Sequence, residues 1–496
     1  MVTTIPHWLL KQAELNPEET AIEMDDGITL SYQELHKESL RYAAYFEKSG
    51  VKKGDHVAVL SSNRIEMPVV IHSLSYIGAV IVLLNTRLTA KELTFQLQDA
   101  EITLMVTEPD FNSVAGEAAH RAGLSQDKIV EYQEIQPEEV RPTYMQTEIN
   151  LGDLFTIMYT SGTTGNPKGV QLTYGNHWAS AVSSALNLGL SPFEKWLVCL
   201  PMFHVSGFSA LIKNVVYGMP IFLMQRFEEK AVIKAIRQTG VTMLSAVSVM
   251  LQRMIGELGG EQLPHHFRGV LLGGGPAPKP LLEKAKEKKI PAFQTYGMTE
   301  TASQIVTLNP KDALRKLGSA GKPLSTASLK IDAAVGEVGE IIVKGPMVTT
   351  GYFKREEATE EVMSEDGWLA TGDLGYLDEE GFLFVVDRRK DLIISGGENI
   401  YPAEIESVLA GMEGVREAGV TGIKDENWGQ VPVAFIVADT NGAIREEDVL
   451  QFCNSELAKY KCPKEIHFVD QLPRNASNKL MRRELLCLRK VDGDKG

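Results

Sequence analysis

From Trp8 to about Leu308 the chain alternates stretches of helical apolar periodicity with short β-branched and aliphatic runs. Val57 to Leu60, Val80 to Leu84, Ile102 to Val106, Ile221 to Met224, Met243 to Ala246 and Val270 to Leu272 all predict strands. Strands separated by helix-length segments predict parallel sheets covered by helices on both faces. Between about Gly318 and Asp387 the pattern changes. Gly339 to Lys344, Trp368 to Thr371 and Phe382 to Val386 are divided by Gly, Asp and Pro turns, and predict an antiparallel, barrel-like lobe. A new α/β pattern begins after Arg388-Arg389-Lys390-Asp391 and predicts a compact C-terminal domain.

Two segments raise a targeting question. Met67 to Thr86 carries no charge, but it contains His72, Ser73, Ser75, Gly78 and Asn85 and divides into a helix and the strand Ala79 to Leu84. That division predicts buried α/β core rather than a membrane span. The N-terminal residues Trp8, Leu9, Leu10 and Leu15, interrupted by Lys11 and Glu14, predict an amphipathic helix rather than a signal peptide.

At 496 residues and 44% hydrophobic, the chain can bury a large core, and a multi-domain enzyme is the default expectation. Its net charge of -15 is spread over interspersed acidic and basic residues, so no basic face invites nucleic acid or an anionic membrane. Anionic ligands must then be held by local devices. Cys199, Cys453, Cys462 and Cys487 have neither metal-like nor redox spacing, which fits a reduced cytoplasmic setting.

The first such device is Tyr159 to Gly169, which reads Tyr-Thr-Ser-Gly-Thr-Thr-Gly-Asn-Pro-Lys-Gly between the predicted strand Leu154 to Tyr159 and the strand-like Val170 to Leu172. Gly162 and Gly165 leave backbone N–H groups free to surround an anion, Thr160, Ser161, Thr163 and Thr164 add hydroxyl donors, and Lys168 adds charge. It is not a Walker loop, because Lys168 is followed by Gly169 and a strand rather than by Ser or Thr and a helix. Read alone, the segment is either a polyphosphate cradle or a solvated turn before a helix capped by Thr173.

Further segments have residue types suited to one nucleotide site. Gly273-Gly274-Gly275-Pro276 follows a predicted strand, and a turn without side chains lets a planar group lie against the backbone. Gln294, Tyr296, Gly297, Thr299 and Glu300 offer an aromatic face, a hydroxyl and a carboxylate within a few residues. Glu300 suits Mg2+ carried on ATP, which takes one or two protein carboxylates and fills its shell with phosphate and water. Asp373, after Thr371-Gly372, can accept both hydroxyls of a ribose, or serve as an ordinary turn residue. Ser395-Gly396-Gly397-Glu398-Asn399 precedes Pro402, which suits the first position of a helix over Ala403 to Leu409. Lys479 lies in a polar segment, where a lone lysine is ordinarily a solvated charge.

Taken together and in this order, the segments resemble the adenylate-forming superfamily of acyl- and aryl-CoA ligases, firefly luciferase and nonribosomal adenylation domains, over essentially the whole chain. The resemblance implies an α/β fold in which a large N-terminal domain over residues 1–387 holds two doubly wound sheets and the barrel-like lobe at about 318–387. A hinge at 388–390, with Lys390 as the pivot, would join it to a small, mobile α+β domain over 391–496. Four longer stretches are similar to the succinylbenzoate-activating CoA ligases of menaquinone synthesis: Ser180 to Gly189, Thr301 to Leu308, Leu317 to Leu324 and Pro473 to Met481.

The resemblance also implies roles for residues. Thr160 to Lys168 would close over the β- and γ-phosphates, Thr299 contact the α-phosphate and Glu300 help hold Mg2+. Gly274, Gly275, Pro276, Gln294, Tyr296 and Gly297 would frame the adenine, and Asp373 and Arg388 hold the ribose. Lys479 would bridge the reacting carboxylate and the α-phosphate, His204 gate the passage from carboxylate to thiol, and Gly396 and Gly397 line the pantetheine tunnel. Val205 stands where amino-acid-activating relatives carry Asp, which argues against an amino acid substrate. Asn478 stands where many relatives place Gly, a change that Asn tolerates because it enters left-handed backbone readily.

The implied substrates are ATP, CoA and an aromatic dicarboxylate, with Mg2+, and neither nucleic acid nor a membrane span is expected; a second copy of the chain as partner is left open. The second carboxylate calls for a cation or several donors, for which Lys213 and Ser206 are the candidates, with Phe208 near the ring. Lys213 is equally readable as a snorkelling helix lysine. Alternative readings are a CoA ligase for another aryl or medium-chain acid, and an adenylation enzyme that loads a carrier protein.

Overall fold

A computed structural model describes residues 3–135, 141–160, 167–275, 277–388, 391–395, 398–425, 428–439, 444–457, 459–475 and 480–489. Up to Arg388 the strands form two large sheets and a small antiparallel pair, Thr4–Pro6 with Glu148–Asn150. The first has seven strands in the order Gly351–Tyr352, Lys168–Thr173, Leu154–Thr160, Val80–Leu84, His56–Leu60, Leu104–Thr107 and Ile129–Glu131. Its five inner and far strands are parallel, whereas Lys168–Thr173 and Gly351–Tyr352 are antiparallel. Val80–Leu84, buried at every position, lies in the middle of the sheet, which is where an unbroken aliphatic run is stable.

The second sheet has thirteen strands. Thr20–Met24, Ile221–Leu223, Trp196–Val198, Met243–Ala246, Gly269–Leu272 and Ala292–Met298 are parallel neighbours in that order. Ser303–Leu308 then turns antiparallel against Ala292–Met298. The strands of the expected barrel-like lobe, Ser319–Pro323, Leu383–Arg388, Leu369–Leu377, Gly339–Lys344 and Ser328–Ile331, continue this sheet antiparallel through Val306↔Pro323. They thereby extend the parallel core, and the site inherits one continuous backbone support.

One hydrophobic cluster joins the two sheets, with Val57, Val59 and Ile81 from the first and Trp196, Val198 and Ile221 from the second. Helices supply the layer between them. Phe155 stacks on Tyr174 at 4.2 Å between ring centroids, and Trp8 meets both edge-on at 6.0 and 5.4 Å. The N-terminal helix Trp8–Leu15 buries Trp8, Leu9, Gln12 and Ala13 in this layer, as its amphipathic pattern predicts. Thr173 caps the helix Tyr174–Leu188 in a reciprocal box with Asn176. No helix among the described residues is long and apolar enough to cross a membrane.

The C-terminal residues build a five-stranded sheet around Gly429–Ala438, with Val415–Asp425 antiparallel and Glu465–Phe468 parallel to it. The helix Pro402–Leu409 packs Ile405 and Leu409 into a separate apolar cluster with Ile393, Ile436 and Val449. A separate core identifies this part as a small domain of α+β type.

Gly321 marks where the antiparallel strands join the second sheet. Its φ of +106° is left-handed, and a Cβ there would fall within van der Waals distance of the Thr307 and Leu308 backbone. Gly321→Ala is therefore expected to destabilise the protein by about 2 kcal/mol or more. Urea unfolding of the pair of proteins measures this directly, and an unchanged midpoint would contradict the packing described.

Candidate functional site

The strands on either side of the hydroxyl-rich segment pair antiparallel, and their last paired residues are Thr160 and Lys168. Thr160 and Lys168 thus stand side by side at the mouth of the first sheet. Gly169 lies so close to Ile157 and Tyr159 that a Cβ would crowd both side chains, which explains a glycine directly after the lysine. The Lys168 ammonium sits over the Tyr352 ring, 5.0 Å from its centroid. Tyr352 reaches this position through Val170↔Tyr352 pairing at the sheet edge.

The same tyrosine touches the other sheet. Its hydroxyl donates to Oε1 of Glu300 at 3.0 Å, and the Thr349 N–H donates to the Glu300 carbonyl at 2.7 Å. Glu300 is buried, in the short 3-10 turn Thr299–Thr301 that ends the strand Ala292–Met298. Burial pushes the Tyr352 phenol up, and the adjacent Glu300 carboxylate pushes it further, so it remains a donor. Among the described residues no group of three or more His, Cys, Asp or Glu is arranged to hold a metal. Glu300 offers a carboxylate, and Mg2+ carried on a nucleotide takes one or two from protein and fills its shell with phosphate and water.

The turn after Glu300 is held under strain. Ala302 and Ser303 adopt φ of +51° and +141°, and a Cβ on Gly297 would collide with the Ser303 backbone. Donors from one helix pin this region: Ser180 Oγ donates to the Ala302 carbonyl at 3.1 Å, and Asn176 Nδ2 donates to the carbonyls of Pro346 and Val348 at 3.0 and 2.8 Å. Asn176 thus supports the site without a sequence signal beyond the cap itself, and Ser180, which opens one of the family-like stretches, supports it through the Ala302 carbonyl.

Two of the expected nucleotide residues are joined directly. The Tyr296 hydroxyl donates to Oδ2 of Asp373 at 2.8 Å, which fixes a carboxylate beside an aromatic ring. Asp373 is in turn paired by backbone register with Arg388. Gln294 is 5% exposed, and its Nε2 has no hydrogen-bond partner among the described residues, a buried donor that an adenine nitrogen would satisfy. Gly274 and Gly275 follow the neighbouring strand with φ of +87° and +158°, and nothing stands within 4 Å of a Cβ built on Gly275. Gly275 thus leaves open space against the backbone at the end of the strand next to the one that carries Tyr296.

His204 stands immediately before the helix Val205–Tyr217, and its ring lies 4.6 Å from that of Phe203. The segment leading to it is gripped by Asn63, which sequence reading passed over. Asn63 follows a strand of the first sheet, donates to the carbonyls of Leu200 and Met224 at 3.0 and 3.2 Å, and accepts the Met202 N–H at 2.9 Å. Gly207 packs against the Pro201 and Leu200 carbonyls so closely that any Cβ would overlap them. Ser206 lies half-buried at the start of the helix. Phe208, expected near a substrate ring, is wholly buried against His177 and Phe155, with centroids 5.1 and 5.9 Å apart, because its helix face packs the inter-sheet layer.

Lys213 is also buried. Its Nζ lies 4.2 Å from the centroid of the Trp196 ring and has no hydrogen-bond partner among the described residues. Burial lowers its pKa to about 7. Ser161, Gly162, Thr163, Thr164, Gly165, Pro276, Lys390, Gly396, Gly397 and Lys479 lie outside the described residues, as does the side chain of Arg388.

Residues 9–353 match the family model described as AMP-binding enzyme, and residues 404–479 match the AMP-binding enzyme C-terminal domain. A 2-succinylbenzoate–CoA ligase of Oceanobacillus iheyensis is 54% identical over 98% of this chain and 100% of its own. The o-succinylbenzoate CoA synthetase of Bacillus subtilis in complex with the acyl-adenylate intermediate OSB-AMP is 47% identical, with a TM-score of 0.92 over 99% of this chain and 100% of that one. A double mutant of that Bacillus subtilis enzyme bound to its product analogue OSB-NCoA, also 47% identical, gives a TM-score of 0.76 over 99% of both chains.

Tyr352 carries the contact between the two halves of this site. Tyr352→Phe keeps the ring under Lys168 but removes the hydroxyl bond to Glu300, and is expected to lower Mg2+ affinity or turnover by about 10- to 100-fold without moving the melting temperature. A Mg2+ titration of ATP-dependent pyrophosphate release checks it; a variant equal to the parent would remove Tyr352 from the site.

Proposed function

The chain belongs to the AMP-binding enzyme family, and on that premise we propose that it is an ATP-dependent acid–thiol ligase converting 2-succinylbenzoate and CoA to 2-succinylbenzoyl-CoA, AMP and pyrophosphate in menaquinone synthesis. The observation that carries this reading is full-length similarity to ligases of that specificity, joined to the Lys168–Tyr352–Glu300 contacts and to the Tyr296–Asp373 pair on the strand that leads to Glu300. Free cysteines, three of them buried, support a reduced cytoplasmic setting.

The chemistry demands two steps. A carboxylate is a poor electrophile, and direct thiol attack would have to expel oxide. In the first step a carboxylate oxygen attacks the α-phosphorus and pyrophosphate leaves, giving an acyl-adenylate. Two anions must meet, so the site supplies charge and oriented donors. We assign Thr160 and Lys168 with residues 161–165 to the β- and γ-phosphates, Thr299 to the α-phosphate and Glu300 to Mg2+, which neutralises phosphate charge when bound. Tyr296, Gly297, Gln294, Gly274, Gly275 and Pro276 frame adenine, and Asp373 and Arg388 take the ribose. Lys479 meets the reacting carboxylate and the α-phosphate.

In the second step the CoA sulfur attacks the adenylate carbonyl and AMP leaves with the bonding pair. Lys479 is not needed there. Rotation about Lys390 would withdraw it and bring Gly396 and Gly397 to the pantetheine arm, where a narrow passage favours residues without side chains. His204 gates the route between the carboxylate and the thiol.

For the second carboxylate of the substrate, we assign Lys213, aided by Ser206 near the helix start. A buried ammonium held only by an aromatic face gains most from a carboxylate partner. Between pH about 7 and 10.5 the folded chain holds Lys213 neutral while the unfolded chain holds it protonated, so stability rises with pH across that window. Lys213→Met should therefore melt above the parent near pH 7, with the gap closing towards pH 10.5. The same variant should lose at least about tenfold more kcat/KM for 2-succinylbenzoate than for benzoate. Equal losses on both acids would exclude charge pairing.

Acyl specificity is tested by pyrophosphate release with 2-succinylbenzoate, benzoate and octanoate in turn, followed by mass detection of the CoA thioester. A preference for 2-succinylbenzoate is expected. Preference for another acid would leave the two-step chemistry standing and overturn the substrate assignment.

A further inference from the structure

Three carboxylates converge on one guanidinium where the large domain meets the C-terminal residues. Arg482 donates through Nε and Nη2 to both oxygens of Glu406, at 2.9 and 2.7 Å, and through Nη1 to Asp387 at 2.9 Å and Asp391 at 3.1 Å. The second oxygen of Asp387 accepts the Ala403 N–H at 2.9 Å, at the start of the helix Pro402–Leu409. A carboxylate at a helix N-terminus is favoured by the backbone dipoles as well as by the bond. The Asp387 side chain is only 1% exposed.

These partners come from opposite sides of residues 388–390. Asp387 is fixed in the second sheet by its register with Leu374. Arg482 is fixed in the C-terminal domain, because Glu406 also accepts the Val420 N–H at 2.8 Å from that domain's own sheet. Ala403, Asp391 and Glu406 likewise follow the junction. Asp387 is therefore a large-domain carboxylate seated in a socket made by the small domain.

The socket is wired to the segment that bears Lys479. Arg474 and Leu480 form an antiparallel bridge, and the Met481 N–H donates to the Pro473 carbonyl at 2.9 Å, so the chain on either side of residues 476–479 is held together just before Arg482. The chain as a whole follows the acyl-adenylate complex of the Bacillus subtilis relative more closely than the product-analogue complex.

We propose that Asp387 is a positioning residue, a latch that seats the small domain through Arg482 and the Ala403 N–H in the orientation for acyl-adenylate formation and leaves its socket for thioester formation. This rests on the assignment of Lys479 to the first step and of a pivot at Lys390. A buried carboxylate that loses a guanidinium and a helix N-terminus regains only water, so the latch favours one orientation without touching the reacting atoms.

The test separates the two half-reactions in the full-length protein. Asp387→Asn keeps the shape and an acceptor for Ala403 but loses the charge opposite Arg482. It is expected to slow pyrophosphate release from ATP and 2-succinylbenzoate in a single turnover by about tenfold or more. Thioester formation from supplied acyl-adenylate and CoA should stay within about threefold of the parent or become faster. Arg482→Lys, which keeps a cation at the socket, should fall between Asp387→Asn and the parent in the first step. Should Asp387→Asn melt well below the parent, Arg482→Lys alone decides, by the same split. Equal losses in both half-reactions, or a first step within about threefold of the parent, would overturn the latch. Lys479→Ala, run alongside, tests the underlying reading: if it forms adenylate at the parental rate, the two-step assignment fails whatever Asp387 does.

Discussion

The hydrogen bond from the Tyr352 hydroxyl to Glu300 spans the gap between two independently built sheets, and the arrangement of the site depends on it. The Thr160↔Lys168 pair belongs to the first sheet, and the Glu300 carboxylate, the Tyr296–Asp373 pair and the glycine turn belong to the second. Phosphoryl chemistry tolerates little error in the distance between such groups. A shared apolar layer brings the sheets to roughly the right separation, because burial is strong but non-directional. Directional polar contacts at Tyr352, Asn63 and Asn176 then set the final geometry.

The surroundings of the site are more strained and more polar than the core that carries them. Left-handed Ala302 and Ser303, the side-chain-free positions Gly297 and Gly207, and the buried ammonium of Lys213 each oppose folding locally. Each sits where a substrate group, or the backbone approach to one, is assigned. The stacked Phe155 and Tyr174, by contrast, belong to the packing layer, and Phe208 touches Phe155 there.

Much of this was legible in the residues. Unbroken aliphatic runs announced buried parallel strands, and Thr173 announced a helix start. Val80–Leu84 and Gly339–Lys344 fall at their predicted limits. Predicted Ile102 to Val106 is Leu104–Thr107, since pairing with the neighbouring strand begins at Leu104, a limit that apolar runs do not mark. The strand Gly351–Tyr352 is too short to have a period, so the tyrosine that links the sheets carried no signal. The lobe's strands show alternation but not their partner, and only pairing at Val306↔Pro323 reveals that they extend the parallel sheet. Asn63 is one polar residue in a loop, and its three bonds are all to backbone distant in sequence. A phenylalanine on a helix looks the same in sequence whether it faces a ligand or a core, so the packing of Phe208 against His177 and Phe155 is visible only in the fold.

The central claim is that the acid is activated by attack of its own carboxylate on the α-phosphorus of ATP. The most direct measurement uses 2-succinylbenzoate labelled with 18O in both carboxyl groups and follows the label by mass spectrometry of the nucleotide and pyrophosphate. One labelled oxygen in AMP and none in pyrophosphate is the predicted result. Label in pyrophosphate or inorganic phosphate, or unlabelled AMP alongside thioester product, would contradict it.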